Sequence, residues 1–321
     1  MIVRAPLRFK PYLKSVIWGG DKICNFKGIE QPEPNIGESW EISAVPGHES
    51  VVDGGIYDGL TIKDLIETFG PSLLGDEVFD RYGGNFPLLV KLIDANDNLS
   101  VQVHPDDSLA MKRHGCLGKT EMWYIIDADE EARIYAGLQM ELTPQEYEDK
   151  VKHNELMEAL AVHDSNPGDV FFLPAGRVHA IGAGNLLAEI QESSDITYRI
   201  YDYGRRDKEG NLRELHTEMA KEAIDFEVHA AYKNAPVADS ESHAELVSCE
   251  HFTTHRLLLD GEWTLNLNSD SFTVVMCVGG SALLSYPAGE MALKVGQTVL
   301  IPAVLAEVNL EGKAVILISR S

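Results

Sequence analysis

Four side chains in three separate stretches carry atoms that bind divalent cations. Gln102 and His104 lie in Ser100-Val101-Gln102-Val103-His104-Pro105-Asp106, Glu121 in Gly118-Lys119-Thr120-Glu121-Met122-Trp123, and His179 in Pro174-Ala175-Gly176-Arg177-Val178-His179-Ala180. Each stretch reads as a strand or a strand end. An amide oxygen, two imidazoles and a carboxylate suit zinc or a similar divalent ion. A metal held this way with one position open does chemistry rather than holding a fold together, so the chain reads as a candidate metalloenzyme.

Spacing gives these residues their geometry. Gln102 and His104 are two apart on a predicted strand, so both point to one face, opposite Leu99, Val101 and Val103. By the same alternation Lys119, Glu121 and Trp123 share a face of the next strand. A carboxylate on a strand as apolar as Met122–Ile126 needs a partner, because an unpaired buried charge is costly. His179 has small neighbours that leave room for a bound group. Each residue also has a plainer reading. His104 would cap a helix whose first position is Pro105, Lys119 and Glu121 would form a surface pair, and His179 would be a satisfied core histidine. A fourth stretch, residues 191–202, puts Asp195, Thr197, Arg199 and Tyr201 on one face if extended. Arg199 can hold a phosphate or an enolate oxygen with Asp195 orienting it, or the two form an ordinary cross-face pair.

A mostly β chain must position these groups. Residues 1–60 read as strands and turns. Thr61 caps a short helix to Phe69, with Ile62, Leu65 and Ile66 as its apolar stripe. Residues 86–94 (FPLLVKLID) read as a buried strand. Thr143 and Glu146 form a capping box around Pro144, opening a helical insert to about His163; His153 and His163 are read as surface residues within it. A strand at 169–173 and a helix at 215–225 follow. Residues 232–243 (YKNAPVADSESH) form a polar linker, and about eight short strands are expected beyond it. Residues 167–175 echo residues 295–303: each has a turn glycine, a short strand and then Pro-Ala. Aligning the prolines puts Glu307 where the first copy has His179, and the second copy lacks Gln-x-His. The expectation is a duplicated β-barrel with one active site, in the first copy.

The whole chain sets limits. Its 321 residues suffice for two domains, and 44% hydrophobic with 24% charged residues is ordinary for a globular protein. A formal net charge of −24 argues against nucleic acid or an anionic membrane as partner. It also repels a phosphorylated substrate, so any phosphate site must be locally positive, built from a metal and a few Lys or Arg residues. On the plainer reading the acidic surface only confers solubility. The N-terminal residues show no apolar signal core, and no run approaches the roughly 20 apolar residues that span a bilayer. Cys24, Cys116, Cys249 and Cys277 show no CxxC spacing and read as reduced thiols in a cytoplasmic protein.

The ordered motifs resemble those of the type I mannose-6-phosphate isomerases in their short form, within the cupin superfamily. The resemblance runs from Lys10-Pro11-Tyr12 and Trp18-Gly19-Gly20 through Gly37-Glu38-Ser39-Trp40-Glu41-Ile42-Ser43 and Phe86-Pro87-Leu88-Leu89-Val90-Lys91. It continues through the three ligand stretches to Ser194-Asp195-Ile196-Thr197-Tyr198-Arg199. It implies a mainly β fold of two cupin-type (jelly-roll) β-barrel domains: residues 1–235, catalytic, with helical insertions and the metal site, and residues 236–321, a degenerate cupin-like β domain. It implies one zinc ion per chain on Gln102, His104, Glu121 and His179, and catalysis by Arg199 beside the metal. Lys119 and Asp195 fall where the family has a lysine and an acidic residue. The family's longer members carry His-Lys-Pro-Glu where this chain has Gly118-Lys119-Thr120-Glu121, so the role of that histidine does not carry over.

The implied reaction interconverts mannose 6-phosphate and fructose 6-phosphate through a cis-enediol. Lys119 is the first candidate base, with Asp195 and Glu41 behind it, and a metal-assisted hydride shift stays open. Ser39, Lys91 and Arg199 are expected to bind substrate. The partners expected are sugar phosphates, with no nucleic acid or membrane, for a monomer or weak homodimer. Two other readings compete. An iron cupin dioxygenase has His-x-His where this chain has Gln102-x-His104, and a non-catalytic sugar-phosphate-binding cupin has no need of Lys119, Asp195 and Arg199 beside the metal.

Overall fold

The computed structural model describes residues 3–206, 209–238 and 240–321; Asp239, inside the expected linker, lies outside them. The chain stacks three sheets. The middle one has six strands in the order Val170–Leu173, Glu121–Ala128, Asn185–Glu192, Leu88–Ala95, Ile36–Ile42 and Tyr12–Gly20. One of its faces packs Ile93, Trp123, Ile125 and Leu187 against Ile134, Ala136 and Ile181. Those last residues belong to a five-stranded sheet ordered Tyr198–Tyr201, Val101–Val103, His179–Ile181, Arg133–Leu138 and Leu160–Asp164. The opposite face packs Val90, Leu92, Met122, Ala188 and Ile190 against Val274, Met276, Leu300 and Leu317 of an eight-stranded sheet. Covered on both sides, Leu88–Ala95 and Asn185–Glu192 are buried along their whole length. Side chains still alternate between the two faces, so a polar residue there points into one of two dry layers.

The architecture is mainly β, as expected, but the sheets do not close into barrels: the middle and five-stranded sheets are open paths, and the eight-stranded sheet is an open path from which Gly289–Lys294 branches. The C-terminal residues also depart from the reading of about eight short strands. Six form among the described residues, and Thr253–Asn266, Thr273–Tyr286 and Glu307–Arg320 each run 14 residues. Glycines lie inside these strands, where Gly261 faces Gly312 and Gly312 faces Ala282. Their positive φ values, 105° and 149°, bend the ladder without ending it. The N-terminal strand Leu7–Lys10 joins this sheet by pairing with Thr298–Ile301, and Val51–Val52 pairs with it in turn.

Helices lie where capping residues put them. Thr61 and Asp64 form a reciprocal capping box, and Ile62, Leu65 and Ile66 are buried. The insert is α-helical over Pro144–His153, ending at Asn154 in the left-handed region (φ 59°), and a 3-10 turn follows at Leu156–Ala159. Leu160–Asp164 is a strand on Arg133–Leu138, because sheet pairing overrides the local helical preference. His163 is therefore half-buried in a strand, its Nε2 3.2 Å from the Ala136 carbonyl, whereas His153 is exposed as expected. No helix among the described residues is long and apolar enough to cross a membrane.

The segment after His104 fixes that residue. The helix begins at Asp107, not at Pro105, and its cap is Asp106, whose Oδ1 accepts from Leu109 N at 2.8 Å. His104 is thus freed from any capping role. Asp106→Ala should lower stability by about 1 kcal/mol in urea unfolding, the usual cost of losing an N-cap.

Candidate active site and metal centre

Strand register sets the site residues side by side between the middle and five-stranded sheets. Arg199 pairs across from Gln102, and Gln102 across from His179, so the three form a row on adjacent strands. On the facing sheet, Lys91 pairs with Glu189 and Glu189 with Trp123. Glu121 lies two residues before Trp123 and so points the same way. The loops join too: Gly176 N donates to the His104 carbonyl at 2.9 Å. Gly176 has φ 88°, and a Cβ there would lie 2.9 Å from the Ala223 carbonyl, so only glycine fits comfortably.

One potential ligand atom from each of His104, Glu121 and His179 lies within 4.8 Å of the others. His179 Nε2 is 3.4 Å from Glu121 Oε1, and His104 Nε2 is 3.6 Å from Glu121 Oε2. The other ring nitrogens are spoken for, His104 Nδ1 lying 2.9 Å from the Ile196 carbonyl and His179 Nδ1 2.8 Å from the Arg177 carbonyl. An Nδ1–H donated to a carbonyl leaves the Nε2 lone pair aimed inward, the arrangement of a metal-ligating histidine. Gln102 Nε2 lies 3.2 Å from His179 Nε2, and a flip of the carboxamide presents its oxygen instead. Glu121 Oε1 is buried with no hydrogen-bond partner among the described residues. The donor set and that unsatisfied oxygen fit a divalent cation.

Burial, aided by the Lys119 charge, pushes both imidazoles down, His179 to about 3, so they are neutral donors. Burial pushes Glu121 up to about 7 against the pull of Lys119, whose Nζ sits 2.6 Å from Glu121 Oε2 and 3.2 Å from His104 Nε2. Lys119 is only 4% exposed, which removes the reading as a surface pair.

Gln102 and Lys119 open onto a cavity of about 360 Å³, a size typical of small-molecule sites. Five cations line it (Lys14, Lys91, Lys119, Arg199 and Arg213) against Glu38, Glu189 and Asp195. Lys91 is held 2.9 Å from Glu189 and 3.9 Å from Glu38, and it lies over the Trp40 ring. Trp123 Nε1 donates to Glu189 at 3.0 Å. Burial alone raises Glu189, but Lys119 and Lys91 outweigh it and hold the group below its ordinary range. Arg199 donates to the Glu214 carbonyl at 3.0 Å and keeps a buried Nε with no partner among the described residues. Burial, then the Arg213 charge, push Arg199 down, and two guanidinium groups so placed favour an anion.

Several expected positions are corrected. Ser39 and Glu41 face away from the cavity: the Ser39 hydroxyl donates to Glu41 Oε1, which also pairs with Lys27 at 2.6 Å. Strand alternation gives the cavity side to Glu38 and Trp40 instead. Asp195 lines the cavity with Thr197 and Arg199, but it makes no ion pair with Arg199 among the described residues; the Glu214 carbonyl takes that place. Glu189, Lys14 and Arg213 were not anticipated. The signal for Glu189 was a lone acid in the apolar run Asn185–Gln191.

Residues 7–166 match the family described as phosphomannose isomerase type I, catalytic domain, and residues 242–321 match that of the mannose-6-phosphate isomerase cupin domain. The chain is 38% identical to the mannose-6-phosphate isomerase ManA of Bacillus subtilis, covering 98% of both chains, and 34% identical to a mannose-6-phosphate isomerase of Streptococcus mutans over the same share. Among solved structures, the mannose 6-phosphate isomerase from Bacillus subtilis superposes with a TM-score of 0.89 at 33% identity, covering 98% of this chain and 99% of the other.

His104→Ala should lower the bound metal by one equivalent per chain, measured by mass spectrometry of dialysed protein. Affinity should also depend on pH in one direction. The metal-free protein holds the Glu121 proton up to about pH 7, and the cation must displace it. Zinc affinity should therefore be flat above pH 7 and fall about tenfold per unit below it, one proton being released per ion.

Proposed function

Since the chain belongs to the type I phosphomannose isomerases, we propose that it interconverts mannose 6-phosphate and fructose 6-phosphate. The observation that carries this reading is a cluster of metal ligands beneath a cation-lined cavity, in a chain whose net charge is −24. Such a pocket is the locally positive place that a sugar phosphate requires on an acidic protein.

In this reading Gln102, His104, Glu121 and His179 hold one zinc ion. When bound, the ion supplies a Lewis acid for the oxygens at C1 and C2 of the open-chain sugar. Lys119, beside two of the ligands, takes the proton from C2 as its neutral amine, having first given up its ammonium proton, and returns it to C1 through a cis-enediol. Arg199, next to Gln102 in register, offers a fixed charge to the enediolate oxygens without reorganisation. Asp195, on the cavity wall, is placed to carry the proton exchanged between those oxygens. The phosphate lies away from the ion, among Lys14, Lys91 and Arg213. Residues 1–235 carry the chemistry. Residues 236–321 are a second cupin-like unit that adds no ligand to the cavity site, since Glu307, aligned with His179, is exposed. The four unpaired cysteines suit a reducing cytoplasm.

A coupled assay with mannose 6-phosphate tests the proposal. Fructose 6-phosphate should form and be lost on chelation. Arg199→Ala should keep its metal while kcat drops about 10²- to 10³-fold, the usual effect of removing one preorganised charge. Oxygen uptake, or sugar-phosphate binding without turnover, would refute the isomerase reading.

A further inference from the structure

Behind the middle sheet a second group of ligand-type side chains meets. One ligating atom from each of Asp107, Glu192 and His251 lies within 4.8 Å of the others. Glu192 follows Ala188 and Ile190 in alternation, so it points away from the cavity, toward the eight-stranded sheet. Its side chain is 3% exposed. Oε2 accepts from Thr120 N at 2.7 Å, but Oε1 is buried with no hydrogen-bond partner among the described residues and lies 3.2 Å from His251 Nδ1. Asp107 is held in place by Gly118, whose N–H donates to Asp107 Oδ1 at 2.7 Å. A Cβ on Gly118 would lie 2.5 Å from Asp107 N, so the two backbones meet at contact distance.

Two carboxyl groups thus press together, Glu192 buried, Asp107 exposed and His251 half-buried beside them, without a lysine or arginine in the cluster. Arg81, whose charge reaches His251, is engaged by Glu250 at 3.0 Å. Burial, then Asp107, push Glu192 up to about 8, and burial pushes His251 down, leaving it a neutral donor. A proton or a cation must relieve the crowding. An imidazole and two carboxylates whose ligating atoms lie this close form a donor set that a divalent cation accepts.

We propose that Asp107, Glu192 and His251 form a second divalent-cation site, separate from the one in the cavity. The ion would fasten the loop bearing His251 to Gly118 and Thr120, which flank Lys119 just before Glu121, and to Asp107, three residues after His104. It would steady the catalytic segments from behind without touching substrate.

Zinc titrated by calorimetry into metal-stripped full-length protein, with bound zinc counted by mass spectrometry after dialysis, tests the proposal. The unaltered protein should bind two equivalents. His251→Ala and Asp107→Asn should each bind one, and so should His104→Ala, which loses the other. In the His104→Ala background zinc should still raise the unfolding temperature, and adding His251→Ala should remove that rise. A single equivalent, lost with His104→Ala, would overturn the proposal and assign the Glu192–Asp107 contact to a shared proton. A second equivalent that survives both His251→Ala and Asp107→Asn would overturn it as well.

Discussion

A carboxylate at the bottom of a dry sandwich governs this structure. Glu121 is wholly buried, and an uncompensated charge there would cost several kcal/mol. The chain answers with a relay of alternating signs: Glu38, Lys91, Glu189, Lys119 and Glu121 follow one another at 3.9, 2.9, 3.9 and 2.6 Å. Deleting one member would strand its neighbours, so the relay fixes the rotamers of residues drawn from four strands and one loop. One end of the relay reaches the ligand cluster and the other lines the cavity wall. The arrangement that makes the buried acid tolerable also positions the chemistry.

Much of this was legible because it depends on residue type and parity. Gln102 and His104 had to share a face if their segment was extended, and a carboxylate in the apolar run after Thr120 had to find a partner. The capped helix at Thr61 and the buried strand at Leu88–Ala95 follow from local rules of the same kind. Register was not legible. That Arg199, Gln102 and His179 form one row is decided by pairing between strands distant in the chain, and no local pattern encodes it.

The errors have physical causes. Ser39 and Glu41 were given the wrong face because alternation fixes which residues go together, not which side meets the cavity. Glu189 was overlooked because a strand covered on both faces shows no polar rhythm for an acid to interrupt. The strand at Leu160–Asp164 lies in a stretch of good helix formers, and only its neighbour at Arg133–Leu138 makes it extended. Glycines at 261 and 312 resemble turn signals in isolation. Paired with each other across a ladder, they let long strands coil.

The N-terminal strand has a consequence for how the molecule comes into being. Leu7–Lys10 lies in register with Thr298–Ile301, and the Arg8 guanidinium donates to the Ala292 carbonyl. Leu7–Lys10 must wait for Thr298–Ile301, far later in the chain, before its ladder can form. Such a closure carries a large loop entropy and a high contact order, which slows the final assembly step. It also makes the two strands mutual hostages: deleting either one would bare a sheet edge belonging to the other, so the cavity-bearing layers and the sheet behind them mature as one cooperative body.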